Sequence, residues 1–351
     1  MEISGDAIGA LARGCALLGS GGGGTTRTAE VIVQFYLGQF GPVQLLDVDE
    51  LQPSALVASA GAMGSATVML ERIPSGIPFI AACTSLERRL GVRIDAIAPL
   101  QVGGINGLMA VLAAAALGRP LVDVDQMGRS FPLVEQTVFT GRIPLSPAAL
   151  GGSDSSSIVI DQHDDAAAGA VLRATLLSLG GWGALVCRSA SAADYSRYGV
   201  LGTLSRALDL GAALDSRGTT DGLIARPDVT LIFEGTIIEV LRRTDDSDGG
   251  GVISVRHARD RRRVGRVEYT NEYVAGFDNG DLAGAAPDIL VLVDATTALP
   301  ILIEQVALHQ RVRVLRIDAP PVLRDAYDAH PDPASFIGFA ALSAQVDSAS
   351  R

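Results

Sequence analysis

Apolar residues recur at helical spacing over residues 6–18, with Asp6 placed to cap the stretch, and again over 25–37, where Thr25 is the capping residue. The tract Gly21, Gly22, Gly23, Gly24 breaks the chain between them. Short apolar runs of strand length follow at 43–46, 56–59, 67–70, 94–102 and 120–124, while the helical period returns over 78–90 and 105–117. Strands that read as continuous apolar runs, alternating with helices, predict an α/β domain built on a largely parallel, covered sheet.

The glycines and serines of 150–165 read as a boundary, so the expected domains are 1–164 and 165–351. Beyond it the pattern gives a helix over 166–179, a strand over 183–188 and a helix over 203–214. Strands then dominate, at 229–233, 237–242, 252–256, 263–274, 288–293 and 312–317, with turns at 245–251 and 278–280. The second domain is therefore expected to be β-rich, of α+β type.

Of the 351 residues 48% are hydrophobic, enough to give two domains their own cores. The 28 basic residues against 39 acidic ones leave a net charge of −11, a poor start for wrapping nucleic acid or docking on an anionic membrane. All 28 are arginine. Without a lysine the chain has no Schiff-base nucleophile, no anchor for pyridoxal phosphate and no phosphate-loop lysine. Cys15, Cys83 and Cys187 stand alone, which suits a reducing compartment. The apolar run 107–118 is well short of the ~20 residues needed to cross a bilayer, and no basic-then-apolar leader opens the chain. A cytoplasmic protein with a small-molecule substrate is the expectation, with no nucleic acid or membrane partner and with further copies of itself in the assembly.

Three loops share one physical property. Gly21 to Gly24 precede the helix start at Thr25, Gly103 and Gly104 with Asn106 open another helix, and Met127, Gly128 and Arg129 follow a strand ending at Asp125. In an open parallel sheet such loops lie at the carboxyl ends of strands, where ligands bind. Glycines let a ligand approach backbone N–H groups, and a helix N-terminus favours a carboxylate, a phosphate or a developing oxyanion. The order helix, glycines, helix is not the strand-first dinucleotide pattern, so a nicotinamide cofactor is not expected. Asp123 and Asp125, two apart on a strand, point to one face and read as ligands of a hard cation, as holders of a water, or as partners of Arg129; a divalent metal stays open. The alternative for Asp123 is a cap or salt bridge at the strand end. Near the second domain's middle, Glu272 and Asn271 form another concentration; on a strand Glu268, Thr270 and Glu272 share a face and Asn271 looks the other way. The four histidines show no zinc spacing, and no nucleophile elbow is present.

The strings Gly19-Ser20-Gly21-Gly22-Gly23-Gly24, Gly103-Gly104-Ile105-Asn106 and Asp123-Val124-Asp125-Gln126-Met127-Gly128-Arg129-Ser130-Phe131-Pro132 resemble the S-methyl thiohydantoin desulfurase family. Gly202-Thr203-Leu204-Ser205, Asn271-Glu272-Tyr273, Pro287-Asp288-Ile289 and Pro320-Pro321 follow in that family's order. The resemblance implies an α/β domain followed by a β-rich one, and a reaction in which water replaces the sulfur substituent of a five-membered cyclic ureide. It implies Asn106, Asp123, Asp125, Arg129, Asn271 and Glu272 as catalytic residues, beside glycine-loop N–H groups. It also implies a hydantoinase-type subunit as a partner, and the alternative to an enzyme is an accessory or regulatory chain of such a complex, or a small-molecule sensor. The family pattern has Glu two residues before Gly103, where this chain has Gln101, so a role of that Glu as base or anionic ligand does not carry over.

Overall fold

The computed structural model describes residues 1–214, 219–243 and 250–330. Its first layer is an eight-stranded sheet in the order Glu2–Ile3, Val43–Leu46, Leu121–Val122, Ala96–Pro99, Leu56–Gly64, Trp182–Ser191, Ala148–Gly151, Ser157–Ile160. The run from Val43–Leu46 to Leu56–Gly64 is parallel, and antiparallel pairs extend it on both sides. The sheet is thus mixed, with a parallel centre. Alternate residues of the central strands bury into different clusters: Ala58, Ala60, Ile97 and Leu121 under the helices of one face, Val57, Ala96, Ala98 and Val122 against the other. Helix Ile105–Leu117, almost all Ala, Leu, Val and Met, is buried nearly all round and opens at the carboxyl end of Ala96–Pro99.

Helices Gly5–Leu18 and Thr203–Ala213 cross at backbone contact. A Cβ on Gly14 would stand 1.7 Å from the carbonyl oxygen of Ala207, and one on Gly211 1.8 Å from that of Ala10. Gly211→Ala must push the helices apart, and a stability loss of about 3 kcal/mol is expected, read as a lower urea midpoint at unchanged slope.

The second sheet has seven antiparallel strands in the order Asp281–Ala285, Tyr273–Asp278, Val264–Tyr269, Gly251–His257, Val229–Arg242, Arg311–Ile317, Ile289–Asp294. Bulges in four of its pairings curl it. An α/β unit with parallel strands and a β-rich unit are therefore present as the sequence implied. Strand Trp182–Ser191 nevertheless lies inside the first sheet, and helix Thr203–Ala213 packs on its helical face, so the chain passes to the second sheet only at Val229.

Local readings change, at the first helix because Ser4 precedes it and Asp6 lies in its first turn, and at three further places. The run 67–70 lies in a short helix, Ala66–Glu71, where the Ser65 hydroxyl accepts the Val68 N–H at 3.4 Å. Expected strands 229–233 and 237–242 are one bulged strand. The expected strand 263–274 is two, because Tyr269 pairs with Tyr273 across a tight turn in which the Thr270 N–H donates to the Glu272 carbonyl at 2.9 Å. Most of the turn expected at 245–251 lies outside the described residues.

Candidate functional site

The glycine tract follows the end of helix Gly5–Leu18 and is gripped from two sides. The Gly104 N–H donates to the Cys15 carbonyl at 2.7 Å, Ile105 N–H to the Gly23 carbonyl at 2.8 Å, and Ser130 N–H to the Leu18 carbonyl at 3.0 Å. From the second sheet, Tyr273 N–H reaches the Ser20 carbonyl at 2.8 Å and Ile303 N–H the Gly21 carbonyl at 3.0 Å, while the Ser20 hydroxyl donates to the Leu290 carbonyl at 2.7 Å. Gly104 sits at φ +66°, and its missing Cβ would fall 2.3 Å from the Gly23 carbonyl oxygen. Only glycine permits this contact between the two loops.

These loops wall a cavity of about 370 Å³. Its polar lining includes Gln101, Asn106, Ser130, Asn271, Glu272 and Glu304; Met63, Met69, Met127, Leu100 and Phe131 form its apolar wall. Gly22, Gly23 and Gly24 line it too, and the N–H groups of Gly23 and Gly24 have no partner among the described residues. Helix Ile105–Leu117 opens onto it, adding the partial positive charge of its N-terminus. Among the described residues no lining residue is cationic.

Glu272 is the buried acid of this cavity, 5% exposed. Burial pushes its carboxyl up to about 7, opposed by the Arg129 guanidinium and by a hydrogen bond from the Ser130 hydroxyl at 3.1 Å. The turn at 270–272 is what places it here: both Asn271 and Glu272 reach the cavity, whereas a continuous strand would have sent them to opposite faces. Asn106 projects from the first turn of its helix; its Oδ1 accepts the Ala62 N–H at 2.6 Å and its Nδ2 donates to the Ala62 carbonyl at 3.2 Å.

The other expected catalytic residues stand elsewhere. Asp125 is fully buried and does not line the cavity. Its Oδ2 accepts Val102 N–H at 2.6 Å and its Oδ1 accepts Met127 N–H at 3.1 Å and Gly128 N–H at 2.7 Å, so it ties two loops to the strand end. Burial raises its carboxyl to about 7 against those three donors. Asp123 caps helix Thr203–Ala213, accepting Leu204 N–H at 2.7 Å and Ser205 N–H at 3.2 Å. It is the capping role, not the ligand role, that the geometry gives it, and its carboxyl is raised by burial. Arg129 is buried behind the wall, over the Phe131 ring at 5.0 Å. It donates through Nε to the Ser130 carbonyl at 3.1 Å and through a terminal nitrogen to the Asp288 carbonyl at 2.9 Å. Burial draws it down to about 10, with Glu272 and Asp288 holding it up, so it stays a cation and clamps the two sheets. Gly21, Gly103, Gly104 and Gly128 shape the loops from behind, Thr25 faces neighbouring cavities, and Met127 reaches this one.

Sequence reasoning missed the segment 62–69 and Glu304. Ser65 before a short apolar run was a legible capping signal for the first; a lone acid in a loop gave none for Glu304. Among the described residues no group of three or more His, Cys, Asp or Glu is placed to hold a metal ion, and no helix is long and apolar enough to cross a membrane.

A mixed α/β sheet joined to a curled antiparallel sheet, with a glycine-lined hollow at their junction, is thus the class of protein the fold defines. The model of the S-Me-THD-like N-terminal domain matches residues 6–162 and that of the S-Me-THD-like C-terminal domain residues 163–329; the chain belongs to this family. The crystal structure of a protein from Chromobacterium violaceum is similar over 93% of this chain and 96% of that one, at 22% identity and a TM-score of 0.76, a likeness of fold. No curated protein matches the sequence.

Proposed function

We propose that the cavity is the active site of an enzyme that adds water to a five-membered cyclic ureide bearing a sulfur substituent, with Glu272 moving the protons. The observation that carries this reading is one buried carboxyl, raised to about 7 by burial, on the wall of a hollow that also offers unpartnered loop N–H groups. Ionised Glu272 takes one proton from water as the oxygen bonds to the ring carbon carrying sulfur. Negative charge then develops on the adjoining ring nitrogen and carbonyl, where the Gly23 and Gly24 N–H groups and the helix N-terminus oppose it. The carbon–sulfur bond breaks, the thiol leaves with the proton held by Glu272, the hydrogen left on the added oxygen passes to the ring nitrogen, and the carbon becomes a carbonyl.

The lack of a cationic residue among the described lining residues favours a ring that binds as a neutral species. The test is release of methanethiol from S-methyl thiohydantoins by the purified protein, followed with a thiol reagent. Thiol release that saturates with substrate and is competed by the hydantoin product is the expected result; no release above the spontaneous rate would overturn the reading and leave the accessory role.

A further inference from the structure

We infer that Gln101 is a positioning residue for this site: its amide fixes the direction of a hydrogen-bond chain so that the Ser130 hydroxyl donates to Glu272. The inference deepens the reading of Glu272 given above and rests on it for its meaning in catalysis.

The direction follows from what each group can do. Phe131 N–H, which can only donate, meets one end of the Gln101 amide at 3.0 Å, so that end is the oxygen. The other end, an NH₂ that can only donate, faces Ser130 Oγ at 3.4 Å. Ser130 Oγ therefore accepts from Gln101, and its one proton is left for Glu272 Oε1 at 3.1 Å. All three side chains are at least 94% buried, since Gln101 is 6%, Ser130 1% and Glu272 5% exposed, so bulk water does not compete along most of the chain. A carboxylate at 101 would keep the Phe131 bond but could not donate to Ser130. The hydroxyl proton would then have two acceptors, and a second negative charge would stand one hydroxyl away from Glu272. The other charged groups around Glu272 are Arg129, on the loop that carries Ser130, and Glu304 on the cavity wall; the glycine loop and the first turn of helix Ile105–Leu117 bring none.

Gln101→Glu tests this with almost no change of shape. The Glu272 carboxyl is followed by carbon NMR in glutamate-labelled protein, its resonance assigned by its loss in Glu272→Gln. Its midpoint is expected to move up by about one unit or more. With a ring substrate, the acid limb of kcat/KM moves by the same amount, so turnover at pH 7 falls about fivefold and recovers near pH 9. Ser130→Ala, which removes the donor outright, moves the midpoint the same way and stands in if the first variant does not fold. An unmoved midpoint in a folded variant means that Gln101 merely fills space, and overturns the inference. A moved midpoint in a protein that turns over no ring substrate leaves the hydrogen-bond chain standing and removes instead the catalytic reading of Glu272.

Discussion

Glu272→Gln is expected to lower turnover of a ring substrate by about 10²- to 10⁴-fold in a protein that remains folded. The amide keeps the acid's size and its acceptor for the Ser130 hydroxyl, but it cannot take a proton from water. In the parent, kcat/KM rises with pH through about 7 as Glu272 ionises, and that limb vanishes in the variant. Stability gives an independent reading with a definite sign. The folded-state carboxyl, at about 7, holds its proton more tightly than the ordinary value of 4.5, so between those values the unfolded chain releases protons first. Folding stability therefore falls as pH rises across that window, by on the order of 3 kcal/mol for this group. The variant lacks this component of the fall, so its melting temperature relative to the parent rises between pH 5 and pH 8. Turnover within threefold of the parent would exclude Glu272 from proton transfer.

The second large effect is structural. Asp125→Ala strips three buried backbone donors, Val102, Met127 and Gly128, of their acceptor at once. With 1–3 kcal/mol for each unsatisfied group, the expected loss is on the order of 5 kcal/mol, comparable to the whole stability of a domain. Loss of cooperative thermal unfolding is the expected result. Asp125→Asn falls between, since its one oxygen can serve one side of the site while its NH₂ faces a donor on the other. An Asp125→Ala protein that melts like the parent but turns over no substrate would contradict this and return Asp125 to the chemistry.

The contrast between these two acids shows what the chain makes legible. Apolar periodicity located the helices at 5–18, 76–90 and 105–117 to within two residues, because their buried faces are set by local spacing. The glycine-bearing loops singled out in the chain do converge, since Gly23, Gly104, Ser130 and Glu272 meet. What spacing could not rank was which acid faces the hollow. Two aspartates beside glycines look like a reactive pair, yet backbone N–H groups supplied by residues 102, 127–128 and 204–205 engage both. Those donors depend on tertiary folding. On a continuous strand Glu272 would share a face with Glu268 and Thr270, away from Asn271; the three-residue turn after Tyr269 brings Asn271 and Glu272 to the same hollow.

The most direct test of the central claim is a crystal structure of the protein soaked with an unreactive hydantoin. The ring is predicted to lie between the glycine loop and Glu272, with one ring oxygen or nitrogen within hydrogen-bond distance of the Gly23 or Gly24 N–H and with the Glu272 carboxyl over the carbon that would carry sulfur. Density for the ring in the neighbouring hollow beside Thr25 and Arg27, with the glycine-lined cavity holding only water, would contradict it.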